Sequence, residues 1–174
     1  MKVGIIGAGI VGGAIEHCFS QHHELFVHDP LRGTTLEHVT SNCDMAYIAV
    51  PTPSNKDGSC DTSIVEEVLS ELPDNFIAVI KSTVIPGTTE KLQQKYPTLK
   101  LAYSPEFLVE RTRLEDFANQ RILVIGTQHI EVANLVLQQH KQAGVLAEDN
   151  VFKISSIEAE MVKYTKNNFY AMKV

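Results

Sequence analysis

From end to end, short apolar runs alternate with stretches of helical periodicity, and this alternation limits the chain to a mainly parallel sheet wound with helices. The strand candidates are residues 2–6, 24–28, 45–50, 76–80, 100–103, 121–125 and 151–154. Most are apolar on both faces, as expected where helices cover both sides of a sheet. Helical patterns occupy residues 11–20, 62–72, 88–96, 107–117, 130–144 and 157 onward. The expected fold class is α/β, a Rossmann-type doubly wound sheet with helices on both faces. Residues 1–155 form one domain, with turn signals at 57–61 and Gly144 inside it.

At 174 residues, 44% of them hydrophobic, the chain can bury one core without disulfides or metals. No apolar run approaches the ~20 residues that span a bilayer, which argues against a membrane partner. Fifteen basic residues against 21 acidic ones give a net charge of -6, which disfavours nucleic acid. Cys18, Cys43 and Cys60 lack CxxC or Cys/His ligand spacing, so neither a disulfide framework nor a metal site is expected, and a reducing, cytoplasmic location fits. The opening "MKVGIIGAGIVGGAIE" has a lysine before an apolar stretch, but its five glycines argue against a secretory leader.

Gly7, Gly9 and Gly12, with Ile10 and Val11 between them, follow the first strand and open the first helix. Glycines there permit the tight turn, the approach of backbone N–H groups to a pyrophosphate, and close helix–strand packing. Asp29 ends the second strand about twenty residues on, where a carboxylate accepts ribose hydroxyls. Strand, loop, helix, strand and acid together predict a dinucleotide site. Asp29 would repel a 2'-phosphate, so NAD is expected rather than NADP; Arg32 is either a neighbour of that ribose or a solvated turn arginine.

"AVPTP" ends the third strand and "KSTVIPGTT" the fourth, placing Val50, Thr52, Ser82 and Thr83 at the carboxyl edge of the sheet, where ligands of such folds lie. Each hydroxyl taken singly reads as a turn or cap residue. Glu106 and Glu110 are spaced i,i+4 on an expected helix start. They suit acid–base work, or else they stabilise the helix dipole and pair with Arg111 or Arg113. Lys163 and Asn167 project from one helical face and can reach one ligand; Lys166 and Lys173 are read as solvated. Apolar residues Met161, Val162, Tyr164, Phe169, Tyr170, Met172 and Val174 are expected to bury much of that helix. The seven histidines show no ligand spacing and are read as surface or turn residues.

With "GIIGAGIVG", "AVPTP", "KSTVIPGTT", "SPEFLVE", "DFANQRILVIG" and "EAEMVKYTKNNFYAMKV" in order, the chain resembles the NAD-binding domain of the UDP-glucose/GDP-mannose dehydrogenase family. The resemblance implies NAD contacts at Gly7, Gly9, Ile10, Val11, Gly12, Asp29, Arg32, Val50, Thr52, Thr83 and Glu110. It implies substrate contacts at Glu106, Phe107, Leu108, Lys163 and Asn167. Glu106 would be the acid/base acting through water, with Thr83, Lys163 and Asn167 also catalytic. The activity implied is oxidation of a sugar C6 alcohol to the acid by two hydride transfers through a cysteine thioester, in polysaccharide biosynthesis. None of the three cysteines matches the nucleophile position. Residues 156–174 then resemble the start of a long helix leading to a further domain and, in a full-length form, a homodimer interface.

Some positions depart from the family pattern. The connection "DPLRGTTLEHVTSNCD" is short, as if a helix and its preceding loop were missing; Ile85 replaces a proline, and Val109 and Arg111 replace the usual flanks of Glu110. A β-hydroxyacid-type dehydrogenase and a non-catalytic NAD-binding module remain the alternatives.

Overall fold

The computed structural model describes residues 1–148 and 150–172, with no account of the side chains of Tyr170 and Ala171. The roles expected of Lys173 and Val174, and the burial expected of the Tyr170 side chain, lie outside the described residues. Seven strands form one sheet in the order β2-β1-β3-β4-β5-β6-β7. They are β1 (Lys2–Ile6), β2 (Glu24–His28), β3 (Met45–Ile48), β4 (Ile77–Ile80), β5 (Lys100–Tyr103), β6 (Leu123–Gly126) and β7 (Val151–Ile154). The first five run parallel. β6 joins β5 antiparallel through the single pair Tyr103–Gly126, and β7 runs parallel to β6.

The period of two along each strand sends alternate side chains to opposite faces. Ala46 and Ile48 of β3 pack in one core, against Val65, Val68 and Leu69 of α3 (Ser63–Ser70) and Leu92 of α4 (Thr88–Lys95). Met45 and Tyr47 pack in the other, with Ile15 and Phe19 of α1 (Ile10–Phe19), Phe117 of α5 (Arg113–Ala118) and Val132 and Val136 of α6 (Ile130–Gln142). The doubly wound architecture follows.

Several expectations need correction. The stretch 107–117 is not one helix: residues 104–109 run irregularly, a 3-10 turn spans Glu110–Thr112, and only then does α5 begin. Tertiary bonds hold this irregular run, including Val109 N–H to Asp116 Oδ2 at 2.8 Å. No helix is expected between residues 29 and 44, yet this short connection holds a 3-10 turn at Pro30–Arg32 and a short helix α2 (Leu36–Thr40). Thr35 caps α2 by accepting from His38 N–H. The histidines are not all superficial. His140 is fully buried and His23 nearly so, within a cluster where Tyr47 Oη donates to Gln139 Oε1 at 2.6 Å and the His23 ring nitrogen Nε2 meets Gln139 O at 3.1 Å. The aromatic rings of Phe19, Tyr47 and Phe117 pack edge-on or tilted against His140.

The last helix, α7 (Ser156–Ala171), docks through its first turns. Ala159 and Glu160 are buried, whereas Met161, Phe169 and Met172 are 48%, 49% and 78% exposed, so the apolar residues do not bury most of its circumference. Glu160 explains the docking. Its carboxylate accepts Gly87 N–H at 2.6 Å, Thr89 N–H at 2.8 Å and the Thr89 hydroxyl at 2.6 Å, capping α4 from another element. Burial nevertheless pushes the Glu160 carboxyl above the usual carboxylate range, with the Thr89 and Gly87 bonds pulling the other way.

Candidate cofactor and catalytic cleft

The chain leaves β1, places β2 on one side, and returns to place β3 on the other. A crevice therefore opens outside the carboxyl ends of β1 and β3, as sheet-winding geometry requires. It holds a cleft of about 930 Å³. Lys2–Ile6 forms a strand because its apolar residues pair with both neighbours, and the strand stops at Gly7, whose φ of +91° suits glycine. A Cβ there would also lie 2.6 Å from Ala49 O. Gly12 brings α1 onto the turn so tightly that a Cβ would lie 1.8 Å from Gly7 O. Gly9 has nothing within 4 Å of its Cβ position and lines the open side. No side chain caps α1 and no acid occupies its first turn, so its N-terminal N–H groups remain available to an anion.

Asp29 caps the turn after β2. Its Oδ2 accepts Ala8 N–H at 2.7 Å and its Oδ1 accepts Leu31 N–H at 2.9 Å. These bonds, the Ala8 one first, hold the carboxyl below the usual range. They use two of about four lone-pair positions, leaving acceptors for hydroxyl donors. Arg32 does not line the cleft; it pairs with Glu16 at 2.8 Å.

Further along the crevice, Ile10, Val11, Val50, Thr52 and Thr83 also line the wall. Thr52 Oγ1 donates to Thr83 O at 2.8 Å, tying the end of β3 to that of β4. Ser82 Oγ does the same by donating to Val50 O at 2.7 Å. Lys81, Glu106 and Lys163 complete the lining. Glu106 is 5% exposed. Its Oε1 accepts Phe107 N–H at 2.9 Å, Lys81 Nζ stands 3.2 Å from its Oε2, and its backbone oxygen accepts from Lys163 Nζ at 2.6 Å. The Lys81 contact is an ion pair without hydrogen-bond alignment, since Oε2 makes no hydrogen bond. Burial pulls the Lys163 ammonium below the ordinary lysine range, helped by Lys166 and Lys81 and opposed by Glu106.

The remaining expected residues stand outside this lining. Glu110 is exposed on its 3-10 turn, so Glu106 and Glu110 do not form an i,i+4 helical pair. No ion pair joins Arg111 or Arg113 to either among the described residues; Arg113 Nη1 instead donates to Glu110 O at 3.3 Å. Phe107 and Leu108 pack against the two cores. Asn167 is exposed, one turn past half-buried Lys163. Lys166 is not simply solvated, because it is half-buried with its Nζ 4.1 Å from the Phe107 ring centroid. No cysteine lines the cleft: Cys43 is buried, which pushes its thiol up to about 11, and Cys60 Sγ donates to Thr83 O at 3.5 Å behind the wall. Lys81 escaped the sequence reading. A charged residue directly after the apolar run "IAVI" was the available signal.

The family model for the NAD binding domain of the UDP-glucose/GDP-mannose dehydrogenase family matches residues 25–143. The chain belongs to this family. NAD is accordingly the cofactor of the domain, and the family match starts after the glycine turn, which the geometry above supplies independently. Among relatives in this dehydrogenase family, the UDP-glucose 6-dehydrogenase AglM of Haloferax volcanii is 30% identical over 227 residues, covering all of this chain and 52% of its own length. A UDP-glucose 6-dehydrogenase of Streptococcus pneumoniae is 28% identical, with 100% and 54% coverage. The chain therefore spans about half the length of the curated relatives it matches. In structure it is similar to a GDP-mannose dehydrogenase of Pseudomonas aeruginosa, solved as a ternary complex: TM-score 0.83 and 23% identity over 99% of this chain and 50% of the other. A UDP-glucose dehydrogenase from Pyrobaculum islandicum gives TM-score 0.83 and 25% identity, also over 99% and 50%.

Proposed function

We propose that this domain contributes the cofactor and acid/base half of a nucleotide-sugar 6-dehydrogenase site that oxidises a sugar C6 alcohol to the uronic acid. The observation that carries the reading is one cleft running from Asp29 and the glycine turn to Glu106 and Lys163. Bound NAD supplies the hydride acceptor. Gly7, Gly9 and the first turn of α1 would hold its pyrophosphate, Asp29 its ribose, and Val50, Thr52 and Thr83 the wall toward the reacting end. Glu106, fixed on two sides, accepts or returns a proton through water, and Lys163 stabilises negative charge on a substrate oxygen. Asn167, Phe107, Leu108 and Glu110 join the site only through a change of local conformation or a further segment.

With no cysteine facing the cleft, the thioester nucleophile and the groups that read the nucleotide are assigned to a further domain continuing from residues 156–174. The exposed apolar residues of α7 support that continuation and, with it, a homodimer; a cytoplasmic location is part of the same proposal. Calorimetric titration of the chain with NAD is expected to show one site. NADH formation is expected to be absent with UDP-glucose, GDP-mannose and UDP-N-acetyl sugars. Steady turnover by the 174-residue chain would overturn the division of labour, and absence of NAD binding would overturn the reading itself.

A further inference from the structure

Glu106 is held by two lysines that take different parts of it. Lys81, the first residue past β4, has a side chain 1% exposed; its Nζ lies 3.2 Å from Glu106 Oε2 and donates to Ser104 Oγ at 3.5 Å. Lys163, from α7, donates to the backbone oxygen of the same glutamate at 2.6 Å. Among the described residues no carboxylate oxygen pairs with Lys163. A buried ammonium without a counter-ion is strongly unfavourable, so Lys81 demands the Glu106 charge. The Glu106 carboxylate therefore contacts Lys81 and the Phe107 N–H but not Lys163, on which its charge acts only from a distance.

We propose that Lys81 is a positioning residue: it holds the Glu106 carboxylate off the Lys163 ammonium, which rests on a neutral carbonyl and stays open to a substrate oxygen that becomes negative in the cleft. The identity of that oxygen rests on the function proposed above; the charge assignment does not. The groups facing Lys163 are Lys81 from the end of β4, Glu106 from the run after β5, and Lys166 from its own helix. Lys163 trades a neutral carbonyl, rather than a carboxylate, for an incoming anion. That exchange is far easier than breaking an ion pair.

The test is the titration of Lys163, followed by carbon NMR of the lysine ε-positions in the 174-residue chain without cofactor. In Lys81→Met the freed carboxylate is expected to turn to Lys163 and raise its titration midpoint by about one pH unit or more. Lys81→Arg, which retains the cation, should leave the midpoint within about half a unit of the wild type. Because Lys81→Met leaves Glu106 buried and unpaired, the double variant Lys81→Met/Glu106→Gln, which removes both charges, guards against loss of folding. It should fold and show no rise. An unchanged Lys163 midpoint in folded Lys81→Met overturns the proposal, as does a rise in the double variant, which would mean that Lys81 acts on Lys163 by repulsion alone. Because no cofactor is present, failure of NAD binding would refute the proposed function while leaving these midpoints to decide the lysines separately.

Discussion

Substituting Gly12 by alanine tests the packing that shapes the cofactor end of the cleft. A Cβ on Gly12 would sit 1.8 Å from Gly7 O and 2.9 Å from Gly7 C, whereas real Cβ atoms essentially never approach within 3.0 Å. The shortfall from that limit is about 1.2 Å, and both obstructing atoms are backbone, so α1 must move away from the turn. Overpacking of this kind costs about 1–3 kcal/mol. For a domain of this size that lowers Tm by about 2–12 °C. The same displacement carries the helix N–H groups away from the pyrophosphate, and NAD affinity should fall at least about tenfold, or ~1.4 kcal/mol. Two neighbours serve as controls. At Gly13 a Cβ meets only Ala8 O at 3.5 Å, so Gly13→Ala should be neutral or gain up to about 1 kcal/mol from helix propensity. At Gly9 a Cβ meets no protein atom, so Gly9→Ala should keep Tm and lose NAD affinity alone. Thermal unfolding and calorimetry on the three variants separate these effects. A Gly12→Ala protein with wild-type Tm and NAD affinity would refute the reasoning.

Other expectations follow from individual groups. Burial lowers His140 from 6.5 to about 3, so the unfolded chain takes up this proton first; stability is complete above pH 6.5 and falls by up to ~4 kcal/mol as pH drops toward 3. Denaturant unfolding should show that acid loss in the wild type and a smaller one in His140→Leu. Glu160→Ala leaves the Gly87 and Thr89 donors without their partner and should cost about 2–4 kcal/mol in thermal unfolding, with Glu160→Gln intermediate because it retains one acceptor oxygen. Asp29→Ala should weaken NAD at least about tenfold while narrowing the preference for NAD over NADP, read by competition binding; an unchanged preference would remove Asp29 from the ribose site.

The sequence pattern located what depends on local periodicity. β1, β2, β5 and β7 begin and end where the apolar runs do, and the glycine turn and Asp29 share a wall because β1 and β2 pair in register from Lys2–Glu24 to Ile6–His28. It failed where tertiary contacts overrode local preference. Residues 107–109 begin the stretch read as helical, yet Lys163 binds the backbone of Glu106 and Asp116 that of Val109, which holds the run open. His140 sits on the buried face of α6, a placement that its polarity hid. The reversed direction of β6 leaves no periodic trace, because a strand's pattern is the same read either way. Lys81 reads locally as a solvated residue, because lysines are rarely buried unless paired and its partner lies across β5 in the loop beyond.

The central claim is that the crevice between β1 and β3 grips a dinucleotide by its backbone amides. Nitrogen–proton NMR of the 174-residue chain during addition of NAD tests it directly. The largest shifts should fall on the amides of Gly9 and Ile10 to Gly12, since the Gly7 and Ala8 N–H groups already donate to His28 O and Asp29 Oδ2, and they should be lost in Asp29→Ala at the same NAD concentration. A folded chain whose glycine-turn amides stay unmoved at saturating NAD, or move as much with Asp29 removed, would contradict the account.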